Sequence, residues 1–294
     1  MVLEVPHTFE SLTARGVADA VEKCIPAIAT QLRGDVRAGI ERALESESSE
    51  RARSILQMMI ENDDIARADH VPICQDTGTV WVYLEVGAEE QLPANIFSEV
   101  DGAVARAYEM GKLRKSLLAD AFFDRSNTGD NTPAFVQVGF RPGRGATLHV
   151  MLKGGGSDNA SRVVMLPPGA GYEGIKAEVL ACVREKGSAA CPPLVIGIGI
   201  GATFDKVGGL AKQALLRRVD EQHADPKVRQ LEEELLREVN ATGVGPAGLG
   251  GDTTALAVKV NTAACHIAAL PLAINMGCCA MRSASMELAG GDGR

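Results

Sequence analysis

Leu194-Val195-Ile196-Gly197-Ile198-Gly199-Ile200-Gly201-Ala202-Thr203 decides the fold class of this 294-residue chain. A short apolar run rich in Val and Ile and broken by glycines predicts a buried strand over 194–200. Thr203 to Arg217 continues as a helix, so the stretch spells strand, glycine-rich turn and helix. The glycines at 197, 199 and 201 invite comparison with a dinucleotide-binding turn. The GxGxxG spacing fails, because counting from Gly199 puts Phe204 where the third glycine belongs. No Gly-Lys-Ser/Thr string of a phosphate-binding loop occurs either, so nucleotide binding is not expected.

Working outward, Gly174–Lys186 and Pro226–Asn240 predict helices, and Thr253–Val260 and Ile267–Ile274 predict strands. Thr79–Val86 is rich in β-branched and aromatic residues and predicts another strand. Phe135–Phe140 and Ala146–Leu152 predict strands paired through a Pro-Gly-Arg-Gly turn at 142–145. Pro93–Gly111 predicts a helix. Residues 11–69 carry helical spacing, at Val17, Val21, Cys24 and Ile28 and again at Ile55, Met58, Met59 and Ile65, with Pro26 a possible interruption. Residues 1–70 are thus expected to be helical, and 285–294, ending Gly290-Gly291-Asp292-Gly293-Arg294, to fray. Strands and helices mix throughout, with no linker and no evident repeat. The expectation is a mixed α/β (α+β) chain forming one compact domain over 1–294.

The net charge of −8 and the 4% aromatic content argue against nucleic acid and anionic membrane as partners. Met1–Glu10 lacks the pattern of a signal peptide. The longest apolar run, Leu194–Ala202, is too short to span a bilayer. Seven cysteines, an odd number without an export signal, point to a reducing cytoplasm.

Three of those cysteines stand in loop-like surroundings. Cys74 lies in Pro72-Ile73-Cys74-Gln75-Asp76-Thr77-Gly78, Cys191 in Ala190-Cys191-Pro192-Pro193, and Cys278 in Asn275-Met276-Gly277-Cys278-Cys279. Three thiolates do not close a zinc site. They do suit an iron–sulfur cluster with one iron left open as a Lewis acid. Asp76 beside Cys74 is either an acid–base group or a carboxylate fixing its own turn. Lys153-Gly154-Gly155-Gly156-Ser157 is either an anion-binding nest with Lys153 as counter-charge or a flexible hairpin end. Arg114 is a candidate carboxylate clamp. His266, at the head of an apolar strand, is as readily structural as catalytic.

Taken together, these strings resemble the iron–sulfur (class I) fumarate hydratases and L(+)-tartrate dehydratases. The resemblance is carried by Cys74-Gln75-Asp76-Thr77-Gly78, Leu113-Arg114-Lys115-Ser116, Asn127-Thr128-Gly129-Asp130-Asn131-Thr132-Pro133, Lys153 to Ser157, Ala190 to Pro193, Gly245 to Ala255 and His266-Ile267-Ala268. It implies an α subunit, or N-terminal half, with small sheets wrapped by helices. It implies a [4Fe–4S] cluster on Cys74, Cys191 and Cys278, with Asp76 and His266 as catalytic residues. Substrate would be held by Gln75, Arg114, Lys153 and Gly156. The family's base lies in the other half, so a β subunit is implied as partner, in an α2β2 assembly built on an α-chain homodimer. Cys279, Ser283 and Cys265 depart from the family pattern. The Asn127–Pro133 and Lys153–Ser157 strings lean toward fumarate and malate, with L(+)-tartrate and mesaconate as alternatives. A non-catalytic metal-binding or assembly protein is the alternative of another class.

Overall fold

The computed structural model describes residues 8–9 and 12–288. Gly290–Arg294 of the expected tail, and nearly all of Met1–Glu10, lie outside them. In chain order the elements begin with β1 (Thr8–Phe9), α1 (Ala14–Ala29), α2 (Gly34–Ser46), α3 (Glu50–Asp69), β2 (Thr79–Gly87), α4 (Val100–Met110), β3 (Phe135–Arg141) and β4 (Ala146–Lys153). They continue with α5 (Gly155–Asn159), β5 (Arg162–Leu166), α6 (Gly171–Lys186), β6 (Leu194–Ala202), α7 (Phe204–Ala214), α8 (Pro226–Asn240), β7 (Ala255–Cys265), β8 (Leu270–Gly277) and β9 (Arg282–Leu288). The mixed α/β class is as expected, with two small sheets, each at the heart of one compact unit.

The first unit comprises the described parts of Met1–Arg33, Asp63–Gly154 and Arg282–Arg294. Its sheet runs β1-β9-β4-β2-β3. β2 is an interior strand, flanked by β4 and β3. Val80, Val82, Leu84 and Val86 form the core with Val17, Val21, Cys24 and Ile28 of α1 and Val104, Ala107 and Tyr108 of α4. Thr13 caps α1, its hydroxyl accepting from the Gly16 amide at 3.1 Å. Pro26 stays inside α1 without ending it, one turn from the C-terminus.

β3 and β4 form where expected, but not as a hairpin. β2 lies between them, parallel to β3 and antiparallel to β4. The 142–145 connection instead crosses the end of β2, where the Gly87 amide donates to the Gly145 carbonyl and the Ala88 amide to the Arg141 carbonyl. Local turn residues cannot reveal a third strand that inserts from elsewhere in the chain. The helix expected over 93–111 starts only at Val100, preceded by turns closed by Ile96, Ser98 and Val100 amides three residues on. Residues 285–288, expected to fray, belong to β9, which pairs with β4.

The second unit comprises Gly34–Asn62 and Gly155–Met281, with sheet order β5-β8-β6-β7. On one face of β6, Ile196 and Ile198 pack with Val179 and Val183 of α6 and Leu231 and Leu235 of α8. On the other, the glycine row is explained by α7. A Cβ on Gly197 would lie 2.2 Å from the Ala211 carbonyl oxygen, and one on Gly199 2.5 Å from that of Val207. The glycines therefore let a helix backbone approach the strand, not a nucleotide. β5 and α5 were not anticipated from the sequence. Among the described residues no helix is long and apolar enough to cross a membrane.

Candidate functional site

In the first unit, Cys74, Gln75 and Asp76 sit in the loop between α3 and β2. The Ile73 amide anchors this loop to the Ala29 carbonyl at 2.9 Å. Asp76 does fix its own turn, its Oδ1 accepting from the Gly78 amide at 3.1 Å. Three side chains from distant parts of the chain then hold successive carbonyls. Arg282 Nη1 donates to Asp76 O at 2.6 Å, Tyr108 Oη to Thr77 O at 3.2 Å and Gly78 O at 2.9 Å, and Asn131 Nδ2 to Gly78 O at 3.2 Å. Tyr108 is fully buried, and burial pushes its hydroxyl up to about 12, so it serves here as a neutral donor. Gly78, at φ 81°, is required because a Cβ would come within 2.7 Å of Lys153 backbone atoms.

Arg114 joins the same cluster through its backbone. Its carbonyl accepts from Thr77 Oγ1 at 2.5 Å, and the Ser116 amide donates to Asn131 Oδ1 at 2.8 Å. The Arg114 guanidinium is exposed and makes no hydrogen bond or ion pair among the described residues. Asn131 is fully buried at φ 65°, a conformation an Asn tolerates better than most residues. It clamps the Arg114–Ser116 strip and the Cys74–Gly78 loop together. Lys153, expected as a counter-charge, is 3% exposed at the end of β4.

In the second unit, Gly187–Ala190 forms a 3-10 turn that ends at Cys191 in a left-handed conformation, φ 57° and ψ 68°. The Cys191 carbonyl accepts from the Cys279 amide at 2.9 Å. The loop after β8, with Cys278 and Cys279, is thereby tied to the loop before β6. Behind Cys191, the Ala247 amide donates to Pro192 O at 2.8 Å, and Gly248 approaches Ser188 so closely that a Cβ would be 2.7 Å from the Ser188 Cβ. The Gly245–Ala255 string is therefore a buttress for this turn. It is fixed in turn by the buried Glu47 carboxylate, which accepts from the Asp252 and Thr253 amides.

Gly156 lies beside the same turn, 3.2 Å from the Ala189 carbonyl oxygen when a Cβ is added. Its segment is neither a nest nor a loose hairpin end but the single helical turn α5, closed by the Ala160 amide donating to Gly156 O. His266 is elsewhere. It occupies the exposed β7–β8 connection, where its Nδ1 accepts from the Ala268 amide at 3.1 Å. Cys191 and Cys278 stand at the opposite end of that sheet, roughly 20–25 Å away at the ~3.4 Å rise of each β8 residue.

The cysteines divide by accessibility. Cys24 and Cys182 are buried, and burial pushes the Cys24 thiol up to about 12 and raises that of Cys182. Cys191 is exposed, and Cys74, Cys278 and Cys279 are partly so. The donors anticipated for a cluster are thus among the accessible cysteines, not the buried ones. Among the described residues no three His, Cys, Asp or Glu side chains converge on one ion position. A cluster makes a different demand, since each cysteine binds its own iron. The donor chemistry fits.

Arg282, Tyr108, Asn131 and Glu47 were not assigned a role from the sequence. They act through backbone groups, which leaves no local pattern to find.

The family model described as "Fumarate hydratase (Fumerase)" matches residues 18–287. A "Putative L(+)-tartrate dehydratase subunit alpha" from Methanocaldococcus jannaschii is 39% identical over 274 residues, covering 91% of this chain and 96% of that protein. The L(+)-tartrate dehydratase subunit alpha of Escherichia coli K12 is 31% identical over 263 residues, covering 88% and 86%. That of Shigella sonnei stands at the same identity and coverage. With the family match running through both sheets, the chain belongs to the fumarate hydratase (Fumerase) family of hydro-lyases.

Proposed function

We propose that this chain is the α subunit of a two-subunit iron–sulfur hydro-lyase that dehydrates L(+)-tartrate, with the fumarate–malate couple as its second substrate. The observation that carries this is the similarity, over about nine-tenths of both chains, to proteins named as L(+)-tartrate dehydratase α subunits. It supports tartrate ahead of fumarate, for which the reading rested on two short strings.

Cys74, Cys191 and Cys278 would hold a [4Fe–4S] cluster. When bound, it supplies an open iron as Lewis acid toward the departing hydroxyl. The remaining chemistry belongs to side chains. Arg114, with its backbone pinned and its guanidinium exposed, is suited to hold a substrate carboxylate bidentately. Gln75 and the Gly156 backbone add polar contacts, and the buried Lys153 adds positive charge. Asp76 gives a proton to the departing hydroxyl. His266, remote from Cys191 and Cys278 in its own unit, enters this scheme from a second copy in an α-chain homodimer. The proton-abstracting base comes from the β subunit. A cytoplasmic location goes with free cysteines and an oxygen-sensitive cluster.

The test is anaerobic co-expression with the β subunit, followed by assay of L(+)-tartrate, fumarate and mesaconate. The expected result is the highest kcat/KM on L(+)-tartrate. Faster turnover of fumarate or mesaconate would reverse the substrate order, and no turnover of any of the three by a cluster-loaded pair would overturn the proposal.

A further inference from the structure

We propose that Arg282 is a positioning residue for Asp76, and that Gly154 keeps open the space that both side chains border. This rests on Asp76 being the proton donor proposed above.

Arg282 opens β9 and is 2% exposed. Its Nη1 donates to the Asp76 carbonyl at 2.6 Å, while its Nε is buried and has no partner among the described residues. Gly154 follows β4. A Cβ built on it would lie 3.1 Å from Asp76 Oδ2 and 3.6 Å from Arg282 Nη2. The carboxylate oxygen and the guanidinium nitrogen thus approach the same point, one that glycine leaves empty. The other carboxylate oxygen is already engaged by the Gly78 amide at 3.1 Å.

Asp76 is therefore held at two points, its side chain by its own turn and its backbone carbonyl by the Arg282 guanidinium. Tyr108 and Asn131, which hold the Thr77 and Gly78 carbonyls, are neutral donors. A neutral donor would serve the Asp76 carbonyl equally well. Burying a cation with an unmade hydrogen bond is costly, and that cost is explained if the charge orients the neighbouring carboxylate. Arg282 is buried and bound to the Asp76 backbone. Its effect on catalysis passes through Asp76, by holding the proton donor at a productive angle.

A double-mutant cycle on the co-expressed, cluster-loaded enzyme decides the matter. Arg282→Met is expected to retain its iron and lower kcat roughly 100-fold with little change in KM, the cost of misplacing a reacting group. Arg282→Lys is expected to restore part of the loss, since an ammonium replaces the charge but not the fork. The Asp76→Asn/Arg282→Met double variant is expected to be no slower than Asp76→Asn alone. Losses that multiply in the double variant would overturn the proposal, as would an Arg282→Met rate within about threefold of the parent. If Arg282→Met does not accumulate, Gly154→Ala decides, because it displaces the carboxylate and leaves the cation in place. Its kcat should fall, and the fall should vanish in the Asp76→Asn background; an unchanged kcat overturns the proposal. Full activity of Asp76→Asn would instead remove the role assigned to Asp76, and with it any positioning through it.

Discussion

The two sheets share a connectivity and differ in how they are covered. In each, a central strand leads through a helical crossover to a parallel neighbour, and a short connection then crosses the central strand to an antiparallel neighbour. The strands are β2, β3 and β4 in one unit and β6, β7 and β8 in the other. β6 meets α7 on its glycine face and α6 and α8 on its isoleucine face. β2 packs one face on α1 and α4, and on the other carries Trp81 and Tyr83, with His149 of β4 stacked on Tyr83 at 5.5 Å. One topology thus serves two coverings, and the choice is written in the central strand. Alternate glycines admit a helix, and alternate rings cover the face themselves.

The shared connectivity also places the chemistry. Cys74 precedes β2 as Cys191 precedes β6, and Lys153 closes β4 much as Cys278 follows β8. Asn131 precedes β3, and the Gly245–Ala255 string leads into β7. If both ends do the same work, Cys74→Ser and Cys191→Ser have the same large effect, loss of cluster iron and of all measurable turnover. Cys265→Ser, at the other end of the second sheet, keeps both. Iron content and visible absorbance of the co-expressed enzyme check this, and a cluster retained in either of the first two variants breaks the equivalence.

A smaller effect is expected where only one end carries the acid. Asp76→Asn should lower kcat by roughly 10²-fold or more with the cluster intact, the usual worth of general acid–base catalysis. A near-parental kcat would remove the role.

The coverings are compared by adding one methyl group to each. Gly199→Ala drives a Cβ to within 2.5 Å of the Val207 carbonyl oxygen and 2.8 Å of the Ala211 amide nitrogen, which are helix backbone. It should cost about 1–3 kcal/mol by overpacking. Gly139→Ala meets the Tyr83 ring, whose hydroxyl is the nearest atom at 2.1 Å, and a side chain can swing aside. Its cost should be lower. Denaturant unfolding measures both, and the reverse order would show the ring face to be the more rigid.

The smallest effect concerns pH. His149 lies on the ring face, its Nδ1 2.7 Å from Ser285 Oγ. Burial pulls its pKa down to about 4. The unfolded chain therefore binds a proton near pH 6.5 that the folded chain refuses until about pH 4, so stability falls as pH drops through that window. His149→Asn should flatten the decline by about 1 kcal/mol at pH 5, allowing for a partly exposed ring. Parallel pH–stability curves for parent and variant would contradict this.

Much of this was legible in the sequence. The 194–217 stretch yielded β6 and α7, Pro226–Asn240 yielded α8 to the residue, and the spacing of Val17, Val21, Cys24 and Ile28 yielded α1. Strand order was not legible, because the insertion of β2 between β3 and β4 is a long-range event that no local turn signals. β9 was missed because Arg282–Leu288 mixes small, polar and apolar residues at the end of the chain and is stabilised by pairing with β4. Of the candidate site, the cysteine, Gln75-Asp76 and Arg114 strings could be read as chemistry. The clamps Tyr108, Asn131 and Arg282 could not, since each is ordinary in sequence and gains its role only where it meets a backbone carbonyl.

The central claim is that this chain holds the cluster and half of an active site. It is tested most directly by comparing L(+)-tartrate dehydration by the pure chain, its cluster rebuilt anaerobically, with that by the same chain joined to its β subunit. The account predicts no measurable turnover from the chain alone and sustained turnover from the pair. Turnover by the chain alone would show the base to lie within these 294 residues, and would contradict it.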